Sequence, residues 1–143
     1  GVIILMEYVL LFYSNLITSS ALLGLILIIH FVHYKSFKFI SDANFIEFHK
    51  FHVKNISFIV LPLMIIEATT SILICYFYYS LFSLANLLIV FLIWVTTFIL
   101  QVPSHNKLSS GKSILEINKL INGNIIRVFL WFLKVICITY IIL

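Results

Sequence analysis

The chain has 143 residues, 63% of them hydrophobic and 10% charged, with a mean hydropathy of +1.19. Soluble domains average roughly half apolar and a quarter charged, and one of this length lacks the interior volume to bury so much apolar surface. An ordinary water-soluble enzyme, a disordered tail and a disulfide scaffold are thereby excluded, and lipid is the solvent that fits this surface. The 9 basic and 5 acidic residues give a formal charge of +4. Because the basic residues lie between long apolar runs, they point to orientation in a bilayer rather than to nucleic acid.

The first apolar run reads as a membrane span over about residues 9–34. No basic segment precedes it, and it is too long for the core of a cleavable signal. A polar loop with Lys35, Lys38, Lys50 and Lys54 follows. Within it, Asp42 opens a helical lead-in over residues 42–55 that continues into a second span over 56–79. From Asp42 to Tyr79 such a helix is about 57 Å long, against ~30 Å of hydrocarbon, so its first turns stand in the headgroup region. Pro62 is expected to kink it. The uncharged link from Tyr78 to Ser83 implies a tight hairpin into a third span over 81–102, ending at Pro103. A second basic loop carries Lys107, Lys112, Lys119 and Arg127; an amphipathic lead-in over 113–123 then feeds a fourth span over 124–143.

No two-residue alternation recurs, and backbone in lipid must satisfy its own hydrogen bonds, so the spans are helices. Eight of the nine basic residues fall on one side. The positive-inside rule makes that side cytoplasmic and puts both termini outside. The expected fold is all-α: a single-domain integral membrane four-helix bundle over residues 1–143, up-down-up-down, N-out and C-out, in the cytoplasmic membrane of a bacterium. Cys75 and Cys137 read as small hydrophobes in apolar runs, with pairing open to them only if both helix ends face an oxidising compartment.

Polar side chains inside spans are costly and usually face the bundle interior. All five histidines fall at the cytoplasmic level: His30 and His33 end the first span, His49 and His52 begin the second helix, and His105 follows the third. Each H-x-x-H pair shares one helical face, so four imidazoles can meet, with Gln101 and His105 closing the group. Neutral imidazole suits iron, copper, zinc or haem; the alternative is interfacial histidines bonded to headgroups, water and carbonyls. Asn15 and Ser19 lie on the same face of the first helix as His30 and His33 at 100° per residue.

Glu67 is the one acid deep in a span, and an ion pair with Arg127 or Lys134 is the favoured reading, with a proton relay or general base as the functional alternative. Asn124 and Arg127 are adjacent on one face, where the arginine anchors an anionic or carbonyl group or snorkels. Trp94, Thr97 and Gln101 form a stripe on the third helix, and Trp131 reads as an interfacial anchor. Two motifs fail. Ser109-Ser110-Gly111-Lys112-Ser113 imitates a phosphate loop without its first glycine or preceding strand. The sequon Asn55-Ile56-Ser57 lies on the cytoplasmic side.

These residues carry a family resemblance. Phe39-Ile40, Phe45-Ile46-Glu47-Phe48-His49-Lys50-Phe51-His52, Pro62, Glu67, Gln101-Val102-Pro103-Ser104-His105-Asn106-Lys107-Leu108 and Asn124-Ile125-Ile126-Arg127, in that order, resemble small four-span membrane proteins related to the anthrone oxygenase-like proteins. The resemblance spans about residues 20–135. It implies an oxygenase acting on a polycyclic aromatic, with His49, His52, His105, Asn124 and Arg127 as functional positions. His105 replaces the asparagine usual in the third-helix motif.

The expected function is a membrane-embedded oxidoreductase or oxygenase-like enzyme whose apolar, lipid-soluble substrate enters from the bilayer. In it, His30, His33, His49, His52 and His105 bind a metal ion (iron, copper or zinc) or haem, or transfer protons. Glu67, Asn124 and Arg127 are the candidate catalytic residues, the last two orienting a carbonyl or oxyanion. The expected partners are the lipid bilayer, an apolar small molecule, and other membrane proteins or further copies of the chain; nucleic acid is not among them. The rival reading is a non-catalytic accessory or structural subunit of a larger membrane complex. A transporter ranks last, because it lacks an inverted repeat and broken helices.

Overall fold

A computed structural model describes residues 2–143, with side chains described from residue 6 onward. Four helical rods, each long and apolar enough to cross a membrane, pack as an up-down-up-down bundle, and there is no strand among the described residues. The protein is an integral multi-pass membrane protein. The first rod comprises α1 (Val2–Ile28), a π-helical turn (Ile29–His33), α2 (Tyr34–Ser36) and a 3-10 turn (Phe37–Phe39). The second is α3 (Asp42–Phe77) alone. The third comprises α4 (Leu81–Thr96), a second π turn (Thr97–Gln101) and α5 (Val102–Leu108). The fourth is α6 (Ile114–Ile142).

Phe58, Phe91 and Phe129 stand well exposed on the outer faces, where lipid takes the place of a protein partner. At one end of the bundle Phe12, Ile74 and Ile138 are buried together against Tyr8 and Tyr78, which puts the start of the first rod beside the ends of the second and fourth. At the other end Tyr34, Phe37, Phe45, Leu108 and Ile117 join one buried cluster that continues into the bundle through Leu22, Met64 and Trp131. The loop lysines Lys38 and Lys112 sit at this second end.

The lead-ins and spans are continuous. α3 has 36 residues, about 54 Å, and runs without interruption through Pro62. α6 runs from its N-cap at Ser113, whose side chain accepts from the Glu116 N–H, through 29 residues. The hairpin between the second and third rods is closed by a capping box: Ser80 and Ser83 each accept the other's backbone N–H, at 3.0 and 2.7 Å. Cys75 and Cys137 are free thiols.

Two rods outrun their expected ends. The third does not stop at Pro103 but continues to Leu108. Proline forbids an i→i−4 bond and crowds the carbonyl four residues back. Directly before it the ladder opens by one residue, with Val102 N–H reaching the Thr97 carbonyl in an i→i−5 bond, so the helix passes the proline through a π turn rather than ending. The first rod likewise continues to Phe39 through a π turn closed by Tyr34 N–H on the Ile29 carbonyl. Its last carbonyls are held from the other basic loop: the Lys112 ammonium donates to Lys38 O (3.0 Å) and Ile40 O (2.7 Å). Gly111, with φ +152°, makes the turn that presents Lys112 there, a conformation that favours glycine.

Candidate functional site

The interior holds two groups of buried polar side chains at different levels. Nearer the outer end, Glu67 is fully buried on α3. Its carboxylate accepts from Ser19 Oγ at 2.7 Å and from Trp131 Nε1 at 3.2 Å to each oxygen. The Lys134 ammonium donates to Asn15 Oδ1 (2.6 Å) and Ser19 Oγ (3.3 Å). Asn15 in turn donates from Nδ2 to Thr70 Oγ1 (2.7 Å) and Ser71 Oγ (2.9 Å).

This arrangement corrects two expectations. Glu67 makes no ion pair within 4.0 Å among the described residues; its charge and that of Lys134 are joined through the Ser19 hydroxyl, which donates to one and accepts from the other. Trp131 is no interfacial anchor but a fully buried residue whose indole N–H binds Glu67. A buried indole needs an acceptor for its N–H, and the carboxylate supplies one. Glu67 thus belongs to a closed network, apart from the histidines.

At the lysine-bearing end of the bundle the histidines do meet in part. His49 Nε2 and His105 Nδ1 lie 3.0 Å apart, and the other nitrogen of His105 lies 3.1 Å from the Tyr34 hydroxyl. A nitrogen–nitrogen hydrogen bond needs one protonated and one bare nitrogen. The chain Tyr34–His105–His49 therefore runs in one direction at a time: if Tyr34 donates to His105, then His105 donates to His49, and the reverse order is equally available. His52 stacks 6.2 Å from His105 between ring centroids, and His33 lies 5.4 Å from His52. Phe37 packs edge-on against His49 and His52 and fixes both rings.

His30 stands apart. It is buried, packed against Phe31, and among the described residues makes no ring contact with the other four histidines. The reason is the π turn. At about 80° per residue, a spacing of three no longer keeps His30 and His33 on one face, as α-helical geometry would. The five histidines do not all come together, and among the described residues no group of three or more His, Cys, Asp or Glu is placed to hold a metal ion.

What is assembled is a cavity of about 380 Å³ between α3 and the third rod. Its walls are apolar, with Val60, Met64 and Trp94 among them, and Tyr34, Gln101, His105 and Arg127 line its polar end. The stripe Trp94, Thr97 and Gln101 faces it, as the spacing suggested, and both π turns border it through Ile29 and Thr97. Asn124 accepts from Arg127 Nη1 at 3.3 Å. Arg127 also rests on the face of Trp131, with its guanidinium carbon 5.1 Å from the ring centroid, and has the Tyr34 hydroxyl as a neighbour. Among the residues lining it, buried polar atoms without a protein partner are both amide atoms of Gln101 and Arg127 Nε.

Gly123 on α6 allows α5 and the second π turn to come this close; a Cβ there would meet Gln101 Nε2 at 3.0 Å and Leu100 Cβ at 3.2 Å. Tyr34, which had served only to mark the end of a span, is the site residue that sequence reasoning missed. Its signal was slight: a tyrosine one position beyond an H-x-x-H pair. Compared with known proteins, the chain matches no family model, no curated protein and no solved structure.

Proposed function

We propose that the protein is a membrane-embedded enzyme, oxidoreductase- or oxygenase-like in class, that takes an apolar, lipid-soluble substrate bearing a carbonyl or phenolic oxygen. We place it in a bacterial cytoplasmic membrane with its termini outside. The observation that carries the reading is the cavity: apolar walls ending in Gln101 and Arg127, which have unmet donors, beside a directional Tyr34–His105–His49 chain. A small number of polar groups at the end of an apolar pocket orient a ligand. Donors aimed at one oxygen stabilise charge developing on it, and an adjacent hydrogen-bonded chain moves a proton to or from the same place. The oxidoreductase part of the proposal rests on the resemblance in the sequence, and the acid–base part on these contacts.

Metal analysis and an absorption spectrum bear directly on the cofactor that the histidines would hold. Near-stoichiometric iron, copper, zinc or haem would favour metal-dependent oxidation, and its absence would favour the proton chain alone. The main test is organic extraction of the purified protein followed by mass spectrometry. The reading expects a retained ketone, quinone or phenol that is depleted in His105→Phe. An extract holding bulk bilayer lipid alone, from a protein whose His105→Phe variant is unchanged, would contradict it. The accessory-subunit reading is favoured by one observation, the closed outer network, which does nothing but hold helices together; fixed partners on a native gel would support it.

A further inference from the structure

The charges inside the bundle do not balance. Lys134 is joined through Ser19 to Glu67, and both are fully buried. Glu116 takes Lys107 and Lys119, and Asp42 stands 3.6 Å from Lys112. Arg127, 5% exposed, has no carboxylate within 4.0 Å among the described residues. Its neighbours are one amide oxygen at 3.3 Å, the face of an indole and the Tyr34 hydroxyl, none of them a carboxylate, and its Nε has no protein partner. Beside it in the cavity wall is Gln101, 2% exposed, with neither amide atom paired. Guanidinium stays charged in proteins, so burial does not remove its charge as it would a carboxyl's. Burying an ion is tolerated when a counter-charge and hydrogen bonds accompany it. The other buried cation, Lys134, is joined to a carboxylate through the Ser19 hydroxyl; Arg127, which lines the cavity, has no such link among the described residues.

We propose that the occupant of this cavity brings the missing charge: an amphiphile with one apolar arm and an oxyanion head, a carboxylate or a phenolate, bound by Arg127 and Gln101. The proposal rests on the reading of the cavity as the ligand site and adds the charge of the ligand. The apolar arm lies along Val60, Met64 and Trp94. The head meets the guanidinium and the Gln101 amide N–H; the Tyr34 hydroxyl, on the same wall, is a further donor when its proton is not on His105. The other titratable groups around this end are His105, His49, His52 and His33. None is a carboxylate that would compete for the arginine.

The test uses the full chain in phosphatidylcholine nanodiscs and reads tryptophan fluorescence, since Trp94 lines the cavity and Trp131 lies under Arg127. Dodecanoate, 2-dodecanone and 1-dodecanol are titrated, with partition into empty nanodiscs subtracted. A hydrogen-bonded charge is worth enough that dodecanoate should bind about ten-fold tighter than either neutral probe. Arg127→Gln should bring it to the level of the ketone, and Arg127→Lys should keep part of the preference, which separates lost charge from lost fold. Equal binding of acid and ketone would overturn the proposal while leaving a carbonyl site intact. Binding of none of the three would overturn both. Loss of dodecanoate binding in phosphatidylglycerol nanodiscs would support the anion site and identify a bilayer phosphate as its competitor.

Discussion

The outer and inner polar groups are made of similar residues and differ in completeness. In the outer one, the carboxylate of Glu67, the ammonium of Lys134, the indole of Trp131 and the amide of Asn15 all have partners, and Asn86 Oδ1 is the one orphaned atom there. In the inner one, Gln101 has no partner at either end and Arg127 has an unmet Nε. Helix packing in lipid rewards interhelical hydrogen bonds, and apart from Asn86 Oδ1 the outer network satisfies that demand. Arg127 has the face of Trp131 and the Asn124 amide oxygen beside it, but no acid to balance its charge. Location inside a membrane is therefore a weak sign of function for Glu67 and a stronger one for Arg127.

The contrast predicts opposite responses to removing a charge. Glu67→Ala strips the acceptor from Ser19 and Trp131 and leaves Lys134 uncompensated, and breaking one side of a buried charge pair costs about 3–5 kcal/mol. Arg127→Met removes a cation that has no acid partner, so unfolding in detergent should be unchanged or harder. If both variants lose stability equally, the distinction between the two regions fails.

A smaller effect tests the close approach at the cavity. Gly123→Ala forces Gln101 and Leu100 to shift, because the new Cβ would sit 3.0 and 3.2 Å from them. Overpacking of this kind costs about 1–3 kcal/mol, and it should weaken ligand binding as well as lower the unfolding midpoint. Full binding with the midpoint lowered would show that Gln101 moves freely and does not shape the site.

Tyr34→Phe should be smaller again. It removes one hydrogen bond to His105, about 1 kcal/mol, and should change histidine nitrogen shifts at His105 and His49 together, because one donor sets the direction of both bonds. A shift confined to His105 would break the chain into two independent contacts. Lys107→Ala, on an exposed rim, should leave stability and binding unchanged.

Much of this architecture was legible in the residues. Run length placed four rods, and the polar starts of α3 and α6 announced helices longer than their apolar spans. The pair Asn124, Arg127 is where α-helical spacing put it, and Trp94, Thr97 and Gln101 share one cavity wall although a π turn runs between the last two. The two π turns were not legible, because opening a ladder by one residue depends on what packs against it and leaves no periodic trace. That single change separates His30 from His33 and carries the third helix past Pro103 to bring in His105. The partner of Glu67 escaped for another reason. Spacing along one helix gives depth, but a serine from a different helix interposed itself between the two charges.

The most direct measurement is an experimental structure of the full chain purified with its native lipid, at a resolution that shows side chains. The account predicts an elongated density in the cavity between α3 and the third rod, its head within hydrogen-bond distance of Arg127 and Gln101. A collapsed cavity, with Arg127 turned onto a carboxylate of the same chain, would contradict it.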